Sequence, residues 1–242
     1  ILTNAHVATP SAPGQGPSEF DDPAYLLVAL TQEEDDKPAE PAFRAVPIVS
    51  DGYLDLAVLK ITADADGNEV SADDLDLPEP MPIGSSADVR TGDEITALGY
   101  PGIGNPNAGA QRPLTITRGV VSTFQRDEAV DTERGFIDSD VRLGSGNSGG
   151  ASINDDGELI GVNTAVITAV SEAAGAITQG SALLRPIDLA EEVLRIAREG
   201  GDPGYVSPYV GEVPDPVDTP SDVSARGAGW TLDGAGNCAG ES

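Results

Sequence analysis

Sulfur, aromatic rings and basic side chains are all scarce in this sequence, and each shortage excludes something. The single cysteine, Cys238, has no partner for an internal disulfide and cannot build a cysteine-based metal or redox pair. Cysteine usage therefore says nothing about the compartment. Aromatic residues are only 4% of the 242, so the core must be built from Val, Ile, Leu and Ala. Lys and Arg total 13 against 41 Asp and Glu, a formal charge of −28. A surface of that sign repels phosphate backbones, which argues against nucleic acid as a partner. It disfavours anionic membrane surfaces for the same reason. No run is long and apolar enough to span a bilayer, so no direct membrane insertion is expected of this segment. No secretory leader is recognisable, and the chain opens on Ile1-Leu2-Thr3-Asn4, which reads as a fragment of a longer protein. Histidine is as scarce as cysteine: His6 is the only one.

What is present is 39% hydrophobic residues with 29 Gly and 19 Pro, a composition of many short strands joined by tight turns. The acidity reads first as solubility, including in high salt, and second as long-range steering of basic substrates; no feature singles out the second. Strands are predicted over 25–30, 43–49, 54–61, 94–98, 114–124, 136–141, 151–153, 159–165 and 177–184, with Gly119 marking a bulge or bend. Asn154-Asp155-Asp156-Gly157 reads as a hairpin turn. The stretches 11–23, 31–41 and 63–82 read as acidic or Pro/Gly-broken loops. Asp64, Asp66, Asn68, Asp73 and Asp74 invite a calcium reading, but Glu69 stands where the EF-hand needs glycine, so a solvated insertion and no metal are expected. One helix is predicted over 187–198, apolar on one face and stopped by Gly200-Gly201. Residues 200–242 read as a Pro/Gly-rich linker or tail. The fold class is all-β: two antiparallel six-stranded β-barrels, the first N-terminally truncated, with a C-terminal helix. The first domain spans 1–199, with 1–85 as the incomplete first barrel and 86–199 as the second barrel plus helix.

The chemistry sits in three short blocks. Gly146-Asn147-Ser148-Gly149-Gly150 places a serine among glycines. A serine hydroxyl needs a base for its proton and an electrostatic trap for an oxyanion, and glycines permit the backbone that aims successive N–H groups at one point. By itself such a run is usually a turn. His6, in Thr3-Asn4-Ala5-His6-Val7, is the residue type suited to a base at neutral pH. Asp55, in Leu54-Asp55-Leu56-Ala57-Val58, is a carboxylate in an apolar strand, costly to bury unless it pairs with something such as an imidazole. The alternative for Asp55 is an exposed residue near a turn. The order His, Asp, Ser is that of chymotrypsin-like proteases.

These blocks resemble the catalytic blocks of trypsin-like serine peptidases of the HtrA/Deg type. Asp138-Ser139-Asp140 is similar to that family's approach to the nucleophile, and Gly157-Glu158-Leu159-Ile160-Gly161-Val162-Asn163-Thr164 to its following strand. The resemblance runs from residue 1 to about 199. It implies a serine endopeptidase acting on polypeptides through His6, Asp55 and Ser148, with an acyl-enzyme and no cofactor. The N–H groups of Gly146 and Ser148, with Asn147 as a further contributor, would form the oxyanion hole. Leu143, Val166 and Ile167 would line an apolar S1 pocket, with Arg142 as a rival selecting acidic P1 residues. The family further implies a secreted, periplasmic or cell-envelope location, a role in protein quality control, and leaves a homo-oligomer open. The strands that normally precede the His block and the family's PDZ domain are not visible. A catalytically silent chaperone-like or binding module, and a structural acidic surface protein, are the rival readings.

Overall fold

A computed structural model of the chain describes residues 1–210 apart from 17, 19, 20, 33–36, 102–112, 168, 172–175 and 179, together with 230–232 and 238–240. The first sheet holds β1 (Leu2–Thr3), β2 (Leu26–Leu30), β3 (Glu40–Asp51) and β4 (Leu56–Asp64), antiparallel in the order β1-β4-β3-β2. β3 and β4 pair from Phe43↔Asp64 to Asp51↔Leu56, so residues 52–55 form the tip of a hairpin. The register slips between Pro47 and Val49, where proline has no N–H to give the ladder.

The second sheet is a closed barrel. It comprises β5 (Glu94–Gly99), β6 (Thr115–Asp127), β7 (Thr132–Ser139), β8 (Ala151–Ile153), β9 (Leu159–Val166) and β12 (Ala182–Pro186), in the order β12-β7-β6-β5-β8-β9. Closure leaves no unpaired edge. Between β9 and β12, β10 (Ala169–Ser171) and β11 (Ala176–Thr178) pair with each other. The single strand expected over 177–184 is thus two: β11 folds back on β10, while β12 bridges β7 and β9. Gly119 is no bulge. It pairs in register with Ile95, and the slip in β6 falls between Val121 and Thr123. Glycine is needed there for close approach, since a Cβ would lie 2.7 Å from Val141 N and overlap the Asp140 carboxylate.

Helix α1 (Ala5–Ala8) is four residues long, too short for a 3.6-residue period to register in the sequence. Its buried face, Ala5 and Ala8, joins Ala12, Ala45, Ala57 and Leu59 in a small alanine-rich cluster. The later helix opens as a 3-10 turn over Ile187–Ala190 and continues as α2 (Glu191–Arg198). Ile187, Ala190 and Val193 pack with Val49, Leu54, Leu56 and Val58 of the first sheet and Val162 of the barrel, so one core spans both sheets. A second cluster, including Ile95, Val121, Ile137, Ile160 and Leu184, fills the barrel.

Two compact units divide the chain, Ile1–Tyr209 and Val210–Ser242. The linker read from residue 200 therefore starts too early. Asp202 N–H donates to Ile48 O at 2.7 Å, and Tyr205 and Tyr209 pack on the core that spans both sheets. Within Val210–Ser242, β13 (Trp230–Leu232) and β14 (Cys238–Gly240) form an antiparallel pair. The remainder of the predicted tail lies outside the described residues. No described helix is long and apolar enough to cross a membrane.

Candidate active site

The hairpin tip of the first sheet carries Asp55. The sequence suggests a strand residue; the structure puts Asp55 one position before β4, with φ +55° and 9% exposure. Asp tolerates the left-handed region better than most residues, and this turn swings the carboxylate back toward α1. There it meets His6 twice: Asp55 Oδ1 accepts the His6 backbone N–H at 2.9 Å, and Oδ2 lies 2.7 Å from His6 Nδ1. A carboxylate on Nδ1 fixes the proton there and leaves Nε2 as an acceptor. The alanine face of α1 is buried, so the imidazole points outward and stays 38% exposed.

The turn is itself braced. Asp51 Oδ1 accepts the N–H groups of Tyr53 and Leu54, both at 3.0 Å. Asn4 is fully buried, and its Nδ2 donates to Asp55 O at 2.8 Å and to Thr164 Oγ1 at 3.2 Å, tying α1, the turn and β9 together.

Ser148 lies in the loop between β7 and β8. Gly146 (φ +94°) and Gly149 (φ +80°) take backbone angles that side chains resist. Within this loop Asn147 N–H donates to Gly144 O at 3.1 Å, Gly149 N–H to Asn163 O at 2.9 Å and Gly150 N–H to Asn147 O at 3.0 Å. Among the described residues no acceptor engages the N–H of Gly146 or Ser148. Those are the two donors expected of an oxyanion hole. Asn147 is not a third, because its N–H is spent on Gly144 and its side chain is buried. Ser148 Oγ donates to Thr164 O at 3.4 Å, and none of the hydrogen bonds among the described residues joins it to His6. Such contacts are commonly loose without substrate. Asn163, fully buried, accepts from Ser152 Oγ at 2.7 Å and donates to Leu98 O at 3.0 Å, so the strand behind the serine is anchored on three sides.

Beside Ser148 opens a cavity of about 230 Å³ lined by Leu143, residues 144, 145, 147 and 148, and residues 163–166. Of the residues the sequence analysis proposes for the pocket, Leu143 and Val166 line this cavity. Ile167 does not: it is absent from the lining, its N–H donates to Ser181 O at 2.8 Å and it is 44% exposed. Arg142 is also outside the cavity, exposed, with its carbonyl accepting from Thr117 Oγ1 at 3.0 Å. Asn4 and Asn163 stand inside the sequence blocks without a role of their own, since their contacts join segments far apart in the chain. Among the described residues no group of three His, Cys, Asp or Glu is arranged to hold a metal. The carboxylate of Asp64 is occupied locally, taking the N–H groups of Gly67 and Asn68 and the Asn68 amide, each at 2.8 Å.

Residues 1–162 match the family model for the trypsin-like peptidase domain. The chain is 35% identical over 161 residues to the serine endoprotease DegS of Haemophilus influenzae, covering 65% of this chain and 41% of that protein. It is 30% identical over 202 residues to a probable periplasmic serine endoprotease, DegP-like, of Halomonas elongata, covering 83% and 33% respectively. Among solved structures, the HtrA-type protease AlgW with a decapeptide aligns at a TM-score of 0.55 and 32% identity, over 83% of this chain and 49% of that one. The chain thus spans less than half the length of these relatives.

Proposed function

The chain belongs to the trypsin-like peptidase family, in its HtrA type, and from that membership we propose that it is a serine endopeptidase with Ser148 as nucleophile, His6 as base and Asp55 as the group that orients His6. The observation that carries this reading is the double contact of Asp55 with His6, at 2.9 Å to the backbone N–H and 2.7 Å to Nδ1. A carboxylate held that way supports an imidazolium as it forms.

Ser148 Oγ attacks the peptide carbonyl while His6 Nε2 takes its proton. The carbonyl oxygen becomes an oxyanion facing the N–H groups of Gly146 and Ser148. His6 returns the proton to the departing amine as the C–N bond breaks, leaving an ester on Ser148. Water, deprotonated by His6, then attacks the ester carbonyl, and His6 passes that proton to Ser148 Oγ as the acyl C–O bond breaks and the acid leaves. General base catalysis of this kind contributes about 10²–10⁴-fold, and one oxyanion donor about 10²–10³-fold.

The P1 side chain enters the cavity beside Ser148. Its flanks include Leu143, Ala165 and Val166, and among the described residues no charged one lines it, which favours a small or medium apolar P1 over an acidic one. The polypeptide substrates and an extracytoplasmic site of action follow from relatives named as periplasmic endoproteases. Peptides differing only at P1 test this reading. Val or Ala at P1 is expected to be cleaved well ahead of Glu, and cleavage confined to Glu would contradict the apolar pocket.

A further inference from the structure

The carboxylate of Asp55 is held by more than His6. Gln15, in the loop after α1, donates from Nε2 to Asp55 Oδ1 at 3.0 Å and to Gly52 O at 2.8 Å. Both amide hydrogens are thereby used, one on the carboxylate and one on the turn that carries it.

The backbone delivers Gln15 to this point. Ala12 N–H donates to Thr9 O at 2.8 Å and Gln15 N–H to Ala12 O at 3.0 Å, which folds 9–15 into successive turns over a buried Ala12. The loop then meets the hairpin tip at two glycines. Gly14 has φ +96°, and a Cβ on it would lie 2.6 Å from Tyr53 N. A Cβ on Gly52 would overlap the carbonyl oxygen of Pro13. Neither position has room for a side chain, so the two backbones are in direct contact.

We propose that Gln15 is a positioning residue for the Asp55–His6 pair, acting through Asp55; the inference rests on the serine-peptidase reading above. A carboxylate is broadly free to rotate about its terminal torsion. Two donors on Oδ1, Gln15 Nε2 and the His6 N–H, fix the carboxylate plane so that Oδ2 faces Nδ1. The Asp55 side chain is 13% exposed, so little water competes for it. The amide also suits its surroundings. Asp51 in the same turn already accepts from Tyr53, Leu54 and the Tyr205 hydroxyl, and Asp22 from the Ser11 N–H and hydroxyl. Asp21 borders the same depression as Gln15. A neutral donor steadies Asp55 among these carboxylates, where a glutamate would repel it.

His6 is the chain's single histidine, so its imidazole NMR signals need no assignment against others. The test compares the parent, Gln15→Leu, Gln15→Met, Asp55→Ala and the Gln15→Leu/Asp55→Ala pair by peptide hydrolysis, the His6 Nδ1 proton resonance and thermal midpoint. Loss of a hydrogen bond to a charged group predicts a kcat about tenfold lower in Gln15→Leu, with KM within about twofold. The Nδ1 proton shifts or broadens in step. In the Asp55→Ala background Gln15→Leu lowers kcat no further, because the two act as one unit. A parental kcat and resonance in Gln15→Leu, while Asp55→Ala costs about 10³-fold or more, overturns the role of Gln15 and leaves the triad standing. So does a penalty that persists undiminished in the Asp55→Ala background, or failure of both Gln15 variants to fold, since either makes Gln15 a loop fastener only. A parental kcat in Asp55→Ala, or a folded chain that never turns over substrate, overturns the serine-peptidase reading and Gln15 with it.

Discussion

Gly149 has φ +80°, and a Cβ there would overlap Thr3 Oγ1, so backbone strain and a clash with the strand leading to His6 coincide at one atom. If the Ser148 N–H serves the proposed oxyanion hole, Gly149→Ala lowers kcat by about 10²-fold or more by displacing it, the size of effect of one lost donor. Thermal stability falls as well, by about 1–2 kcal/mol for the left-handed backbone alone. An Ala variant with parental kcat and midpoint would contradict the loop geometry. Asn4 makes a second case. Asn4→Ala strands the buried carbonyl of Asp55 without its donor, at about 1–3 kcal/mol, measurable by denaturant unfolding. Ser148, His6 and Asp55 stand out in the sequence because a serine among glycines, a single histidine and a carboxylate in an apolar run are chemically distinctive types inside short blocks. Gln15, Asn4 and Asn163 do not. Amides are common, and what marks these three is contact across distant segments, which no local pattern encodes.

At the scale of elements, the strands could be read because half-buried β structure alternates in its side chains and is punctuated by Gly, Pro and Asp. Breaks were less visible, as where β11 and β12 separate because their partners differ. The turn before Asp55 depends on a residue far along the chain: Tyr205 Oη donates to Asp51 Oδ2 at 3.3 Å. Burial, and then the adjacent Asp51 carboxylate, push the Tyr205 phenol well above its ordinary value, so it remains a donor throughout the neutral range. Tyr205→Phe is expected to cost about 0.5–1.5 kcal/mol in unfolding free energy, less than Asp51→Ala, which frees two buried or half-buried N–H groups. Equal effects would show that the hydroxyl, rather than the cap on 53 and 54, holds the turn. The hairpin end at Asp64 gives a pH signature. The side-chain bond from Asn68, then its backbone N–H, holds the Asp64 carboxyl below its ordinary value. A carboxyl lowered in the folded state stabilises the turn above its unfolded pKa and loses that effect as pH falls through the folded one. The amide resonances of Gly67 and Asn68 should therefore stay fixed to below the ordinary carboxylate range and move only beyond it; movement at the value of a free Asp would contradict the cap.

For the whole molecule, a charge of −28 acts against the compact state through self-repulsion that salt screens. The thermal midpoint is expected to rise by several degrees between about 0.05 M and 1 M sodium chloride, where the screening length falls from over 10 Å to about 3 Å. A midpoint that is flat or falls with salt would mean that ion pairs such as Arg185–Asp127, rather than repulsion, dominate the electrostatics. The sequence disclosed this charge in full, yet it could not disclose how the two sheets share one core. Val49 and Leu56 of the first sheet and Leu54 of its hairpin tip meet Val162 of the barrel and Val193 of α2 across more than a hundred positions of sequence. That shared core holds the turn bearing Asp55 beside the strand behind Ser148.

The most direct test of the central claim is hydrolysis of casein or a peptide library by the folded chain and by Ser148→Ala, with a serine-directed fluorophosphonate as a parallel label. Turnover and labelling are expected in the parent, with both lost in Ser148→Ala. Turnover that survives the substitution, or a folded parent that neither cleaves nor labels, would contradict that claim.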